Sequence, residues 1–298
     1  MKKQTGILID SASTYDAHYL QTHNIEVIPL TFSDPQNRVY DDDNQTISQE
    51  ELLRRLDKKE IFKTSATPIG KLIKKVEQML ENYEKVIFIP IAIGLSSQYA
   101  QSLIVQQDFP ETFFPIRSTN AALANEFVLM NVVELIEQRI QINDILAKVD
   151  EMYKHIVTYF SCEDLSGMLM GGRVTKAIVK VINFLKLKPI IKLDNKNHYA
   201  GVGKNYKTVT KKIINAICDD FSNNITTEQI KRIGIYYSGY DDQKKEDILN
   251  MVTTAFNFPK DKILIRWVPN TVLIHTHRGA YGISLESTIE HKPNKYDD

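Results

Sequence analysis

The chain has 298 residues, 43% of them hydrophobic and 25% charged, which is long enough for two soluble domains with separate cores. Lys plus Arg and Asp plus Glu each number 37, so the formal charge is zero and excludes a long-range pull on nucleic acid or a membrane surface. No stretch reaches membrane-spanning length, and the N-terminus has no secretory apolar run. Two cysteines, Cys162 and Cys218, give neither a disulfide framework nor metal-ligand spacing, so a cytoplasmic protein without a metal is expected.

The first element is an apolar run, Gly6 to Ile9, ending in Asp10-Ser11-Ala12-Ser13-Thr14, which reads as a buried strand running into a polar turn and helix cap. Ile25 to Phe32 reads as a second strand, and Ser33 to Asn37 turns it into a short return at Arg38 to Asp41. Ser48 with Glu51 forms a capping box before a helix through Leu52, Leu53 and Leu56. Lys63-Thr64-Ser65-Ala66-Thr67-Pro68 then puts three hydroxyls on a loop that closes a strand. Thr67 is expected to cap, and Pro68 to start, a helix whose apolar face runs from Ile69 through Leu72, Val76 and Met79.

Lys85 to Ile91 is a buried strand, and Gly94-Leu95-Ser96-Ser97 is a second hydroxyl-lined turn before a helix through Tyr99, Leu103 and Ile104. Phe113 to Ile116 is a further strand. Ser118 or Thr119 caps a long helix through Phe127, Met130 and Leu135, and Asn143 or Asp144 opens another through Ile145, Val149 and Met152. Strands alternating with helices predict a parallel, doubly wound sheet, in which ligands sit beyond the carboxyl ends of the strands. The turns at Asp10 to Thr14, Thr64 to Thr67 and Ser96 to Ser97 are therefore expected to share one site. Helix-start N–H groups and hydroxyls there suit a small anion.

The second half has a different rhythm. Ile156 to Ser161 reads as a strand, Leu165 to Gly171 as a short helix, and Gly171-Gly172-Arg173 as a turn before a helix through Ile178, Val181, Ile182 and Leu185. Pro189 to Leu193 and His198 to Val202 read as a hairpin, which makes the second sheet mixed or antiparallel. A basic helix at Lys211 and Lys212, a strand at Ile233 to Tyr237, a helix at Gln243 to Phe256, a strand at Ile263 to Val268 and a terminal segment through His275 to Leu285 complete the chain. The expected domains are residues 1–160 and 161–298.

Several constellations compete for function. Gly201-Val202-Gly203-Lys204 lacks the spacing of a phosphate loop and fits a hairpin-to-helix turn. His275-Thr276-His277 offers two imidazoles but no acidic or thiol ligand at metal spacing. Ser96 with a distant His275 is the nearest approach to a hydrolase pair, without a Gly-x-Ser-x-Gly elbow. Basic residues outnumber acidic ones by 12 to 4 between Leu165 and Lys231, an ordinary solvated face or a surface for an anionic ligand, and no interleaved aromatics mark it for nucleic acid.

Taken in order, the motifs resemble those of the DegV family. Ile9-Asp10-Ser11-Ala12-Ser13 is similar to the family's strand and Asp-Ser-x-Ser, Lys63 to Pro68 to its Thr-Ser-Gln-Pro-Ser, and Leu95 to Tyr99 to its Leu-Ser-Gly-Thr-Tyr. Met170-Gly171-Gly172-Arg173-Val174 resembles its Gly-Gly-Arg-Ile, Leu187-Lys188-Pro189-Ile190 its Ile-Lys-Pro-Ile, and His275-Thr276 its His-Thr-Gly-Pro-Gly, with His277 and Arg278 in place of the Gly-Pro. The resemblance implies two α/β domains with a fatty acid between them. It implies no catalytic residue and no cofactor, but a carrier that presents a long-chain fatty acid to a separate dihydroxyacetone-kinase-like fatty acid kinase for acyl phosphate formation. Carried over by motif, Thr64, Ser65, Ser96 and Ser97 hold the carboxylate with His275 and Thr276, His275 donates from its imidazole, and Arg173 supplies positive charge. The alternatives are a hydrolase or phosphoryl-transfer enzyme in the same cleft, or a carrier of another amphipathic anion.

Overall fold

The computed structural model describes residues 2–239 and 241–293, with only the backbone of Val181, Asn183 and Leu185. The inward positions expected at Val181 and Leu185, and residues 294–298 of the expected second domain, thus lie outside the described residues. Three sheets organise the chain. The first half begins with β1 (Lys3–Asp10), whose last five residues are buried, followed by α1 (Ala17–His23), which Asp16 caps by accepting from the Tyr19 N–H. The strand expected from Ile25 to Phe32 is two strands, β2 (Ile25–Ile28) and β3 (Thr31–Ser33), in different sheets. The break falls at Pro29-Leu30, where proline has no N–H to continue a ladder. β4 (Val39–Asp41) returns against β3. Ser48 caps α2 (Gln49–Asp57) through the Glu51 N–H, while the Glu51 side chain turns to Arg54 instead of completing a capping box.

β5 (Lys63–Ser65) pairs antiparallel with β3, so Thr64 stands on a small sheet of order β4-β3-β5 and not at the end of a strand of the parallel sheet. α3 (Ile69–Asn82) starts after Pro68, and Thr67 does not cap it. The Thr67 hydroxyl donates to the Pro29 carbonyl at 2.8 Å and its N–H to Gln98 Oε1 at 2.9 Å. β6 (Tyr83–Ile89), α4 (Gln98–Asp108), β7 (Phe113–Pro115), α5 (Leu123–Glu137) and α6 (Ile142–Lys154) follow. The main sheet has the order β2-β1-β6-β7, with every pairing parallel, as the alternation of strand and helix predicts. Ser118 does not cap α5 either; its Oγ lies 2.9 Å from Asn125 Oδ1, in a buried cluster with Tyr153, and the helix begins from Ala122 at φ 51.

The second half comprises β8 (Ile156–Ser161), α7 (Ser166–Met170), α8 (Lys176–Leu185), β9 (Lys188–Asp194), β10 (Lys196–Gly203), α9 (Tyr206–Asp220), β11 (Ile230–Tyr237), α10 (Asp242–Phe256), β12 (Leu264–Trp267), α11 (Asn270–Thr276) and β13 (Tyr281–Ser287). Its sheet is mixed, in the order β10-β9-β8-β13-β11-β12, with only the β11–β12 pairing parallel. Sheet membership changes between α6 and β8, one strand before residue 161. The terminal segment divides. His275 lies in α11, and the chain reaches β13 only after positive φ at His277 and Gly279.

The halves share a core. α5 buries ten of its residues and packs against β8, β11 and β13, so a helix of the first half covers one face of the second sheet. One hydrophobic cluster runs from Ile9 and Ile89 through Phe127 to Phe160 and Leu193. The β9–β10 hairpin turns at Asn195, whose carbonyl accepts from the Gly94 N–H at 3.0 Å, and a Cβ on Gly94 would stand 2.2 Å from that oxygen. This close approach locks the second hydroxyl turn against the second half.

Candidate functional site

Two clamps assemble the site. Gln98 sits at the start of α4, just after the Ser96-Ser97 turn, and its amide both accepts from the Thr67 N–H at 2.9 Å and donates to the Thr67 hydroxyl at 3.2 Å. This buried pair brings the turn after β5 alongside the turn after β6, although the two follow strands of different sheets. The second clamp joins α7 to α11. A Cβ on Gly167 would lie 2.4 Å from the Ile274 carbonyl oxygen, and one on Gly171 would lie 2.6 Å from His275 Cε1. Only glycine permits this approach, which holds the His275 ring over the cavity.

The cavity so formed has a volume of about 140 Å³, and all seven residues singled out from the sequence lie on its wall: Thr64, Ser65, Ser96, Ser97, Arg173, His275 and Thr276. Leu30, Ile91, Phe160, Met168, Leu193 and Val272 make its apolar side. The Asp10 to Thr14 turn is not part of this wall, contrary to the single shared site expected from the three turns. Ser11, Ser13 and Thr14 line a different cavity.

The hydrogen bonds fix the state of His275. Its Nδ1 lies 3.3 Å from the Gly167 carbonyl oxygen and its Nε2 lies 2.9 Å from Thr64 Oγ1. A carbonyl only accepts, so Nδ1 carries the hydrogen, and in a neutral ring Nε2 then accepts from the Thr64 hydroxyl. Burial, reinforced by the nearby Arg173 charge, lowers the imidazole to about 4, which keeps it neutral at pH 7. In this state His275 directs no N–H into the cavity, and the donor role that the motif suggested calls for the protonated ring or the other tautomer. Thr276 likewise turns its hydroxyl to the Val272 carbonyl, at 3.0 Å. Ser96 Oγ accepts from the Gln98 N–H at 3.2 Å, which leaves its own proton free to donate.

Arg173 is held by carbonyls. Its Nε and one terminal nitrogen donate to the Leu95 oxygen at 3.1 and 2.7 Å, and the other terminal nitrogen donates to the Gly171 oxygen. No acidic side chain is paired with it among the described residues, and burial lowers its pKa. A half-buried guanidinium whose partners are only dipoles is a positive charge with room for an anion. Sequence reasoning missed the backbone groups that orient these side chains, the carbonyls of Gly167 and Leu95, because carbonyls carry no residue signature. Only the glycines of Ser166-Gly167-Met168 and Gly171-Gly172 hinted at the close packing.

The chain is similar to known proteins. A family model described as "Uncharacterised protein, DegV family" matches residues 4–288. The chain belongs to the DegV family. A DegV domain-containing protein, UU535 of Ureaplasma parvum serovar 3, is 29% identical over 98% of each chain. Among solved structures, a DegV family protein from Thermus thermophilus described for its fatty acid binding has a TM-score of 0.83 at 22% identity, covering 95% of this chain and 99% of that one. A stearic acid-binding protein from Eubacterium ventriosum also has a TM-score of 0.83, at 20% identity, covering 97% and 99%. The α/β fold is thus shared, and proteins on this fold are described as fatty-acid-binding. Among the described residues, no helix is long and apolar enough to cross a membrane, and no three His, Cys, Asp or Glu side chains group as metal ligands.

Proposed function

We propose that this DegV protein is a cytoplasmic carrier that binds a long-chain fatty acid and presents its carboxylate to a separate ATP-dependent kinase. The observation that carries the reading is the half-buried Arg173 cation without an acidic partner among the described residues, on the wall of a cavity that it shares with Thr64, Ser96 and a set of apolar side chains. A fatty acid supplies the missing anion and covers the apolar wall. Each methylene buried there adds roughly 0.8 kcal/mol, so the chain dominates affinity and the head group sets orientation. The presentation step rests on where the polar end lies. Ser96, Ser97, Gly172 and Arg173 also line an open surface cleft, so a partner reaches the carboxylate while the chain stays inside.

The imidazole adds a proton to the binding step. When Thr64 donates to a carboxylate, His275 Nε2 is left to donate to Thr64 Oγ1, either as the imidazolium, which keeps the Nδ1 bond to Gly167, or as the neutral Nε2–H tautomer, which gives that bond up. The negative charge of a bound anion favours the imidazolium, so binding raises the His275 pKa from its low value in the empty site and favours uptake of a proton. Native mass spectrometry of the purified protein, followed by organic extraction, tests the carrier reading. A stoichiometric fatty acid supports it, and a protein that is empty and refuses added oleate and palmitate rejects it.

A second reading draws on the same pair. A hydroxyl donating to a neutral imidazole is the arrangement of a nucleophile and its base, and here the hydroxyl is that of Thr64 and not Ser96. A base held near 4 is poorly matched to neutral pH, which favours binding over hydrolysis. Turnover of acyl esters by the protein alone, abolished in Thr64→Ala and in His275→Ala, would reverse that preference.

A further inference from the structure

Tyr236 brings a hydroxyl to the apolar side of the Arg173 cavity, which it lines together with Phe160, Met168 and Leu193. The second sheet explains its position. Tyr236 in β11 pairs with Gly282 in β13, and Gly282 pairs in turn with Phe160 in β8. A Cβ on Gly282 would collide with Tyr236 Cζ and Oη, so the phenol lies across β13 where only glycine leaves room for it.

This hydroxyl is unanswered. Tyr236 is only 5% exposed, and its Oη has no hydrogen-bond partner among the described residues. Unlike the sealed Ser13 Oγ, it keeps accessible surface, and the space it reaches is the cavity. Burial raises its pKa, so at pH 7 it is a neutral phenol that donates one hydrogen bond and accepts another. Other polar side chains on the wall are engaged: Thr271 donates to Asp42, Thr276 to Val272, Asn197 to the Arg173 carbonyl and Thr64 to His275.

The wall also limits what the phenol can meet. Arg173 and His275 line the cavity, but no Asp, Glu or Lys does so among the described residues. A carboxylate head group takes Arg173, so a second charge on the acyl chain would be buried without a counter-charge. A plain hydrocarbon chain fails differently, because it displaces water from the phenol and leaves a buried hydroxyl unpaired. A neutral hydroxyl on the chain avoids both costs and answers the phenol as donor and as acceptor. Building on the carrier reading, we propose that the cavity takes a long-chain fatty acid bearing a hydroxyl on its chain, with Tyr236 Oη as the hydrogen-bonding partner that recognises it.

Calorimetric titration of the full-length protein compares stearate with its monohydroxy derivatives, from 3-hydroxystearate to 17-hydroxystearate, on wild type and on Tyr236→Phe. Each mid-chain isomer gives up similar hydrogen bonds to water on entry, so wild-type affinity is expected to peak at the carbon that Tyr236 reaches. Tyr236→Phe should weaken that isomer at least threefold and leave stearate unchanged or tighter, since the phenyl ring keeps the shape and removes the unpaired group. A series without a peak, or an equal shift for stearate and the hydroxystearates in Tyr236→Phe, overturns the proposal, while stearate binding by the wild type keeps the carrier reading. Wild-type protein that binds neither stearate nor any isomer rejects the carrier reading and this proposal with it. The wild-type series is decisive by itself, whatever the stability of the variant.

Discussion

The two cavities lie on either side of the hydrogen bond from Thr271 to Asp42, and they treat charge in opposite ways. In the first, Arg173 meets only carbonyl dipoles and faces an apolar wall. In the second, Arg266 is paired with Glu126 and Asp42 takes the Thr271 hydroxyl, and the buried Ser13 hydroxyl has no partner among the described residues. The contrast teaches that the informative feature of a cleft is its unanswered group and not its total charge. Both cavities contain buried polar side chains, but only an unanswered cation selects an anion.

Replacing that cation should break the comparison most sharply. Arg173→Met is expected to weaken fatty acid binding by about 2–4 kcal/mol, read by calorimetric titration, because a buried carboxylate is left without its charge partner. An unchanged affinity would remove Arg173 from the head-group site. Gly171→Ala tests the positioning of His275. The added methyl meets the ring at 2.6 Å, and the overpacking should cost about 1–3 kcal/mol in urea denaturation and loosen fatty acid binding with it. Ser96→Ala should weaken binding by about 1–3 kcal/mol, the cost of leaving a buried charge short of one donor.

Proton linkage sharpens the comparison further. The empty-site imidazole lies near 4, below its ordinary 6.5, so it contributes stability above pH 6.5 that is lost as pH falls through 4. Burial pushes Asp42, on the other side of the dividing hydrogen bond, up to about 6, and pushes Asp10 up to about 7. Their contributions have the opposite sign, being fully present below 3.8 and lost as pH rises through 6 and 7. Titration of oleate at pH 7 in buffers of differing ionisation enthalpy should therefore register uptake of up to one proton, and none in His275→Gln. The smallest effect belongs to Thr276→Val. Its hydroxyl proton already goes to the Val272 carbonyl, so fatty acid affinity should shift by no more than about 0.5 kcal/mol.

Much of the site was legible before the structure. Thr64, Ser96, Arg173 and His275 stand in short motifs whose order along the chain carries the family likeness, and the cavity brings them together. Their division of labour was not legible. Thr64 and His275 are 211 residues apart, and which nitrogen of the ring bears hydrogen follows from the Gly167 carbonyl, a group every residue possesses. Thr67 and Ser118 both look like helix caps, because a hydroxyl before an apolar periodic run satisfies every local rule. Each is drawn away by a tertiary partner, Gln98 and Asn125 respectively.

The sequence by itself determined the number and kind of most elements, the parallel character of the first sheet and the mixed character of the second. These follow from hydrophobic period, turn residues and the length of the crossovers, all of which act between near neighbours. Tertiary structure decided what depends on distant groups. It set the sheet to which β3, β5 and β8 belong, the protonation state of His275, the lack of an acid beside Arg173 among the described residues, and the assignment of the Asp10 to Thr14 turn to a second cleft. Burial and pairing are properties of a place in the fold, and the same hydroxyl or guanidinium takes its role from whatever packing leaves beside it.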